Sequence, residues 1–148
     1  MNRDFPSDRD VASPPPATGA GRETILLVED EPAVRMLSRV ILERLGYRVI
    51  EADSGVAALE IWITQQPAVD LLVTDMIMPH GLTGRGLAEK LRAQQPELRI
   101  LFTTGYSPTS VASGMNLIEG VNFIQKPYVP VTLSNAIRNC LCRPAIPL

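Results

Sequence analysis

The 148-residue sequence predicts an α/β domain in which helices cover both faces of a doubly wound, five-stranded parallel sheet. From Thr24 onward, short runs of β-forming residues alternate with amphipathic stretches, which is the pattern of βαβ units. The first run, at 25–28, is apolar throughout, as in a central strand covered on both faces. A chain of this length is expected to form one compact domain with a tail.

The first half of the domain contains two predicted strand–helix pairs. After the strand at 25–28, Pro32 suits a first helical turn, and Val34, Leu37, Ile41 and Leu45 recur at helical spacing until Gly46. A second strand follows at 47–52. A second helix, at 56–66, is stopped by Pro67.

The second half contains three further strands. The third strand, at 70–75, ends on an acid, and a breaker-rich loop at 78–84 precedes a helix that includes Leu87 and Leu91 and ends before Pro96. The fourth strand is predicted at 99–104 and the fifth at 122–125. Between them, 107–120 carries a weak helical pattern, and a last helix is predicted at 131–141.

Composition sets the domain bounds and excludes two classes of partner. Residues 1–22 hold a triple proline and no apolar periodicity, which predicts a disordered tail or linker before a domain at 23–143 and a short tail at 144–148. The net charge of −2 argues against direct nucleic-acid binding. No apolar run approaches the roughly 20 residues that span a bilayer, so we expect no membrane binding and a cytoplasmic location.

The residues able to carry chemistry follow the predicted strands. Glu29 and Asp30 come after the first strand, Asp75 ends the third, Thr104 ends the fourth, and Lys126 follows the fifth. In a doubly wound sheet of order 2-1-3-4-5 these positions meet at the carboxyl edge, where such sheets bind ligands. Three carboxylates there would repel one another unless a cation such as Mg²⁺ neutralised them.

This arrangement suits phosphoryl chemistry. A carboxylate beside a bound metal ion can attack phosphorus, a lysine supplies a positive charge for the incoming anion, and a threonine hydroxyl can donate a hydrogen bond to it. Each residue also has a structural explanation. The acids at 29–31 could complement the first helix dipole, Asp75 could form a turn, and Lys126 could be a solvated lysine. The joint occurrence of all of them at one edge favours the functional explanation.

The ordered motifs closely resemble the response-regulator receiver domain of two-component signalling, whose fold is flavodoxin-like. The resemblance covers about 24–141, and the set is specific although each piece alone is weak. The motifs are Leu27-Val28-Glu29-Asp30-Glu31-Pro32, Thr74-Asp75-Met76-Ile77-Met78-Pro79, Thr103-Thr104-Gly105 and Lys126-Pro127-Tyr128.

The resemblance implies a role for each position of the predicted metal site. Asp75 matches the phosphoacceptor, and Asp30 matches the direct Mg²⁺ ligand. Glu29 matches the residue that contacts the ion through water. Ile77 matches the residue whose backbone carbonyl completes the metal shell.

The resemblance also implies a switch. Thr104 matches the hydroxyl drawn toward the phosphoryl group, Lys126 the lysine that faces it, and Phe123 the aromatic residue that changes rotamer in response. The Lys126–Pro127 peptide bond would be cis, which the sequence permits. The loop from Pro79 to Gly84 is one residue longer than in the commonest receivers and is similar to receivers of hybrid sensor kinases.

The function expected from the resemblance is a phosphoacceptor rather than an enzyme acting on a separate substrate, although the domain would assist its own phosphorylation and dephosphorylation. Its expected partner is a histidine kinase or a histidine phosphotransfer protein. A pseudo-receiver that takes no phosphate is the alternative, and a small phosphatase or flavin-binding domain is disfavoured because Ile77 stands where a phosphatase would need an acid or base. The sequence leaves open a homodimer, and a stand-alone receiver as against a piece of a hybrid kinase.

Overall fold

The computed structural model describes residues 23–78, 81–105 and 117–148. The tail predicted at 1–22 and most of the weak helix predicted at 107–120 lie outside these ranges. The described elements are β1 (Thr24–Val28), α1 (Pro32–Arg44), β2 (Arg48–Ala52), α2 (Gly55–Gln65), β3 (Leu71–Asp75), α3 (Gly84–Gln94), β4 (Arg99–Thr104), β5 (Phe123–Gln125) and α4 (Pro130–Leu141).

All five strands are parallel and lie in the order β2-β1-β3-β4-β5, which confirms the predicted doubly wound, flavodoxin-like sheet. The chain crosses from β2 to the far side of β1 when it enters β3, so β1 and β3 are neighbours. Val28 is paired with Thr74 in this ladder, and Asp75 is paired with Thr103 of β4. The residues that follow β1 and β3 therefore emerge side by side at the carboxyl edge.

Alternate residues of each central strand enter two separate hydrophobic layers. Leu26 and Val28 of β1 face α2 and α3, where Leu87 and Leu91 are fully buried. Ile25 and Leu27 face α1 and α4 on the opposite side of the sheet. Because both faces of these strands are buried, successive residues are mostly apolar and each strand contains a continuous apolar run in the sequence.

The ends of α1 follow the predicted signals, and α2 and α3 begin with side-chain caps that were not predicted. Pro32 occupies the first turn of α1, and Gly46, just after the helix, has a φ of 97°, which favours glycine. The hydroxyl of Ser54 accepts a hydrogen bond from the Ala57 amide at the start of α2, and Thr83 does the same at the start of α3. These side chains satisfy backbone amides in the first turns of the two helices.

The buried face of α1 differs from the expected one. Leu37, one of the apolar residues at helical spacing, is 54% exposed, whereas Ser38 and Leu42 are buried. Apolar spacing identifies a helix but does not decide which of two adjacent stripes faces the sheet. Ser38 is accommodated in the core because its hydroxyl hydrogen bonds to Tyr128.

The residues predicted as a short C-terminal tail lie against the domain. The Arg92 guanidinium donates to the Ile146 carbonyl, and the Arg99 Nε donates to the carbonyl of Arg143, just before the tail, at 2.7 Å. Leu148 is partly buried against the hydrophobic layer that contains α2 and α3. Within the described ranges, none of the helices has the length and apolar character needed to cross a membrane.

Candidate functional site

The end of β1 supplies two acidic side chains with different exposure. Glu29 continues the pairing with β2, because its amide donates to the Ala52 carbonyl at 3.1 Å, and it is only 2% exposed. Its carboxylate accepts a hydrogen bond from the Glu31 amide at 3.2 Å. Asp30, the next residue, is exposed at the rim. One acid therefore points into the domain while the other meets solvent.

The end of β3 supplies Asp75, which is 7% exposed. The strand is held on the β4 side by a 2.8 Å hydrogen bond from the Met76 amide to the Thr103 carbonyl. Interaction with the Ile77 backbone amide lowers the pKa of the Asp75 carboxyl. The backbone pairing with β4 therefore fixes the position of Asp75 at the sheet edge.

Lys126, just after β5, joins the two strand ends. Its ammonium lies 2.9 Å from Asp75 Oδ2 and 3.0 Å from Glu29 Oε1. Its amide donates to the Thr104 carbonyl at 2.7 Å, and the following bond to Pro127 is cis, as the resemblance implies. Backbone hydrogen bonding to β4 thus places the lysine between two carboxylates of the central strands.

The three acids predicted to converge do so. One carboxylate oxygen from each of Glu29, Asp30 and Asp75 lies within 4.8 Å of the other two. The spacing follows from the adjacency of β1 and β3, since both strands end at the same level of the sheet.

The electrostatics of the cluster show more negative charge than one lysine neutralises. Burial raises the pKa of the Glu29 carboxyl above its usual value, Lys126 opposes that rise, and the charge of Asp75 adds to it. Burial likewise raises the pKa of Asp75, with the charge of Asp30 adding to it. Burial alone would lower the pKa of Lys126, but its hydrogen bonds to Asp75 and Glu29 raise it overall. An additional cation would favour the charged forms of Glu29 and Asp75.

The donor set suits a hard divalent cation. Carboxylate oxygens are the ligands preferred by Mg²⁺, whereas the described part of the cluster offers no thiolate or imidazole for a softer metal. Asp30 and Asp75 line the same cleft, and Ile77 lies on its wall. The residues present therefore fit Mg²⁺, with Glu29, Asp30 and Asp75 as the available carboxylates.

The cluster opens into a cleft of about 570 Å³. One wall is formed by α1 through Val34, Leu37 and Ser38, and the opposite wall by Pro127 and Tyr128. The Ser38 and Tyr128 hydroxyls are 2.8 Å apart and tie the two walls together. Ser38 was not predicted to contribute to the site, and its position one turn before Leu42 was the available signal.

Thr104 and Phe123, the two residues predicted to form a switch, are both fully buried. Thr104 ends β4 beside the Asp75–Thr103 pair, and the Phe123 ring belongs to the layer that faces α2 and α3. The structure therefore holds the Phe123 side chain in an inward position. The two residues lie on adjacent strands, β4 and β5, next to the cluster.

The fold and site together define an α/β domain with an acidic, lysine-containing pocket at the carboxyl edge of its sheet. The family model described as the response regulator receiver domain matches residues 25–138, and the chain belongs to that family.

Two similar proteins come from Brucella abortus (strain 2308). It is 37% identical over 122 residues to the sensor kinase CckA, a match that covers 82% of this chain and 13% of CckA. It is 32% identical over 117 residues to the response regulator receiver protein CpdR, covering 79% of this chain and 95% of CpdR. A match to the probable transcriptional regulator ycf27 of Porphyridium aerugineum spans 49% of that protein, so the chain corresponds to part of several of its relatives.

Solved structures agree with this placement. The receiver domain from the hybrid histidine kinase CckA superposes with a TM-score of 0.65 at 36% identity, covering 80% of this chain and 98% of that domain. The response regulator TrrA of Thermotoga maritima, in complex with Mg²⁺ and BeF, gives a TM-score of 0.68 at 26% identity over 81% of this chain and all of that one.

Proposed function

We propose that the domain is a phosphoacceptor of two-component signalling, reversibly phosphorylated on Asp75 with Mg²⁺ bound at the carboxylate cluster. One observation carries the proposal. The Asp75 carboxylate is buried within hydrogen-bonding distance of the Lys126 ammonium and shares its pocket with Glu29 and Asp30. The Mg²⁺–BeF complex of the similar regulator TrrA supports the same chemistry for this pocket.

In the proposed reaction, an Asp75 carboxylate oxygen attacks the phosphorus of a phosphohistidine. A P–O bond forms as the P–N bond breaks, and the leaving imidazole takes up a proton. Lys126 is placed to stabilise the charge on the transferring oxygens, because it already contacts Asp75 Oδ2. Mg²⁺, when bound, would neutralise the negative charge that the acids and the phosphoryl group bring together. The domain thus assists the transfer to itself and turns over no separate substrate.

The output step is proposed to run through Thr104 and Phe123. A phosphoryl group on Asp75 adds negative charge and acceptor oxygens, which would draw the Thr104 hydroxyl toward it. Movement of that side chain would favour an inward Phe123 ring, the position that the ring has in this structure. The population of a two-state surface would shift accordingly.

The proposed donor is a histidine kinase or a histidine phosphotransfer protein. Support comes from the relative CckA, which is a sensor kinase, and from the receiver domain of hybrid histidine kinase CckA, which has the same fold. The net charge of −2 gives no basis for direct DNA binding by this domain. We therefore propose that its output is a change in protein–protein contacts in the cytoplasm.

The test is phosphorylation by a small phosphodonor such as acetyl phosphate in the presence of Mg²⁺, measured by intact-protein mass spectrometry. Asp75→Asn should abolish the modification. Asp53→Asn is the matched control, since Asp53 is an exposed acid that follows β2 at the same sheet edge but is not a member of the cluster. Undiminished labelling of the Asp75 variant would overturn the proposal, and a chain that neither labels nor binds fluoroberyllate would be a pseudo-receiver.

A further inference from the structure

Arg35, on the first turns of α1, connects the acidic loop to β2. Its Nη1 donates to the Glu29 carbonyl at 2.8 Å, and its Nε lies 3.4 Å from Glu51 Oε1. The side chain is 21% exposed, so much of it is shielded from solvent. A planar guanidinium suits this task because its several N–H groups can bind two acceptors at once.

The backbone held by Arg35 is the turn that carries the acids. Glu29 is the last residue whose amide is paired with β2, and α1 begins at Pro32. At the helix start, Glu31 makes no side-chain capping bond to the α1 amides. The Glu29 carbonyl is bound by Arg35, and the Glu31 amide is bound by the Glu29 carboxylate. Lys126 contacts the Glu29 carboxylate directly, whereas the course of the turn itself depends in part on the Arg35 hydrogen bond.

We propose that Arg35 is a positioning residue for the cation site, which it preorganises by fixing the Glu29 carbonyl and hence the Glu29 and Asp30 carboxylates. This inference rests on the proposed function, because it assumes that the cluster binds a divalent cation. Partners of this kind, which touch a ligand's residue rather than the ion, typically change metal affinity by about 10- to 100-fold when removed.

Arg39, one turn further along α1, provides a matched control. Its Nε lies 2.9 Å from Glu51 Oε2, an ion pair without hydrogen-bond geometry, and its Nη1 lies 3.3 Å from Glu43. Arg35 and Arg39 thus both contact Glu51. Among the described contacts, the hydrogen bond to the Glu29 carbonyl is made by Arg35. Loss of either arginine removes one charge from the same helix face.

The experiment compares Arg35→Gln with Arg39→Gln. The first measurement is Mn²⁺ binding. It is monitored through the electron paramagnetic resonance signal of the free ion, and Mg²⁺ affinity is obtained by competition. We expect Arg35→Gln to weaken binding about 10- to 100-fold and Arg39→Gln to leave it within about twofold of the unchanged protein. Equal affinities in the two variants would overturn the inference.

The second measurement needs no metal. Residue-resolved amide exchange by NMR should show faster exchange of the Glu31 amide in Arg35→Gln than in Arg39→Gln, because the turn that holds this amide against the Glu29 carboxylate opens. Equal exchange in the two variants would overturn the positioning role. If the unchanged protein binds no Mn²⁺, the proposed function fails instead, and the exchange result still decides whether Arg35 holds the turn.

Discussion

The Lys126 ammonium is shared between Asp75 and Glu29, at 2.9 and 3.0 Å, so one cation bridges the acids that follow the two adjacent central strands. Each acid is buried, and burial raises the pKa of each above its usual value. Lys126 therefore stabilises the charged forms of Asp75 and Glu29, which burial alone would disfavour.

Lys126→Gln should destabilise the metal-free protein by about 1–3 kcal/mol at pH 7.5, the usual cost of leaving a buried polar group without its partner. The deficit should shrink toward pH 4.5. A carboxyl with a raised folded-state pKa contributes stability below its unfolded pKa and loses it as pH rises through the folded value. Without Lys126 the folded-state pKa of both carboxyls rises further, so more stability is lost as the pH increases. The raised pKa of Lys126 keeps its own charge constant between pH 4.5 and pH 7.5.

Urea denaturation of both proteins at the two pH values measures this difference. Lys90→Gln, which changes an exposed lysine on α3, serves as the control and should stay within about 0.5 kcal/mol of the unchanged protein. An equal deficit for Lys126→Gln at pH 4.5 and 7.5 would show that the carboxylates are not its cause.

Asp30→Asn should separate cation binding from folding. Asp30 is exposed and its charge repels that of Asp75, so the metal-free variant should lose no more than about 0.5 kcal/mol of stability. Mg²⁺ at about 100 times its Kd should stabilise the unchanged protein by about 2.7 kcal/mol, and a hundredfold weaker site would leave about 0.4 kcal/mol. Denaturation with and without Mg²⁺ gives both numbers. Asp53→Asn should retain the full Mg²⁺ effect, and an equal effect in Asp30→Asn would exclude Asp30 as a ligand.

The strand order and the convergence of acids were predictable from the sequence because both depend on local signals. Apolar runs and breakers located the strands to within one or two residues, and parallel strands must end at the same edge of the sheet. Glu29, Asp30 and Asp75 each follow such a run directly, so their meeting required only the strand order. The roles assigned to Thr104, Phe123 and Ile77 stay predictions.

Contacts between distant segments were not predictable in the same way. The pairing of Ser38 with Tyr128 joins residues 90 positions apart, and nothing local in the sequence specifies it. The contact of Arg35 with the Glu29 carbonyl depends on the rotation of α1 about its axis, which apolar spacing misjudged at Leu37. No periodic pattern in the sequence predicted that Leu148 packs against the domain.

The Ser38–Tyr128 hydrogen bond should appear as an energetic coupling between the walls of the cleft. Ser38 is 1% exposed, so Tyr128→Phe leaves a buried hydroxyl without its partner, at a cost of about 1–3 kcal/mol. The pair Ser38→Ala and Tyr128→Phe should cost less than the sum of the single changes, by about 1 kcal/mol. Urea unfolding of the four proteins measures the cycle, and additive costs would mean that the hydroxyls do not interact.

Gly84→Ala should disturb the site through the backbone. A Cβ at this position would clash with the Asp75 carbonyl oxygen and lie 2.9 Å from the Met76 Cα, and these backbone atoms cannot rotate away. Either α3 or the end of β3 must shift, so we expect a loss of about 3 kcal/mol in urea unfolding and slower labelling of Asp75 by acetyl phosphate.

Gly86→Ala on the same helix is the matched control. The nearest atom to its added Cβ is the Leu82 Cδ1, at 3.0 Å, the end of a flexible side chain, and alanine favours the helix by up to about 1 kcal/mol over glycine. Its stability and labelling should therefore stay close to those of the unchanged protein. If Gly84→Ala remains folded and is labelled at the normal rate, the added methyl group has shifted α3 rather than β3. The position of Asp75 then does not depend on its close contact with residue 84.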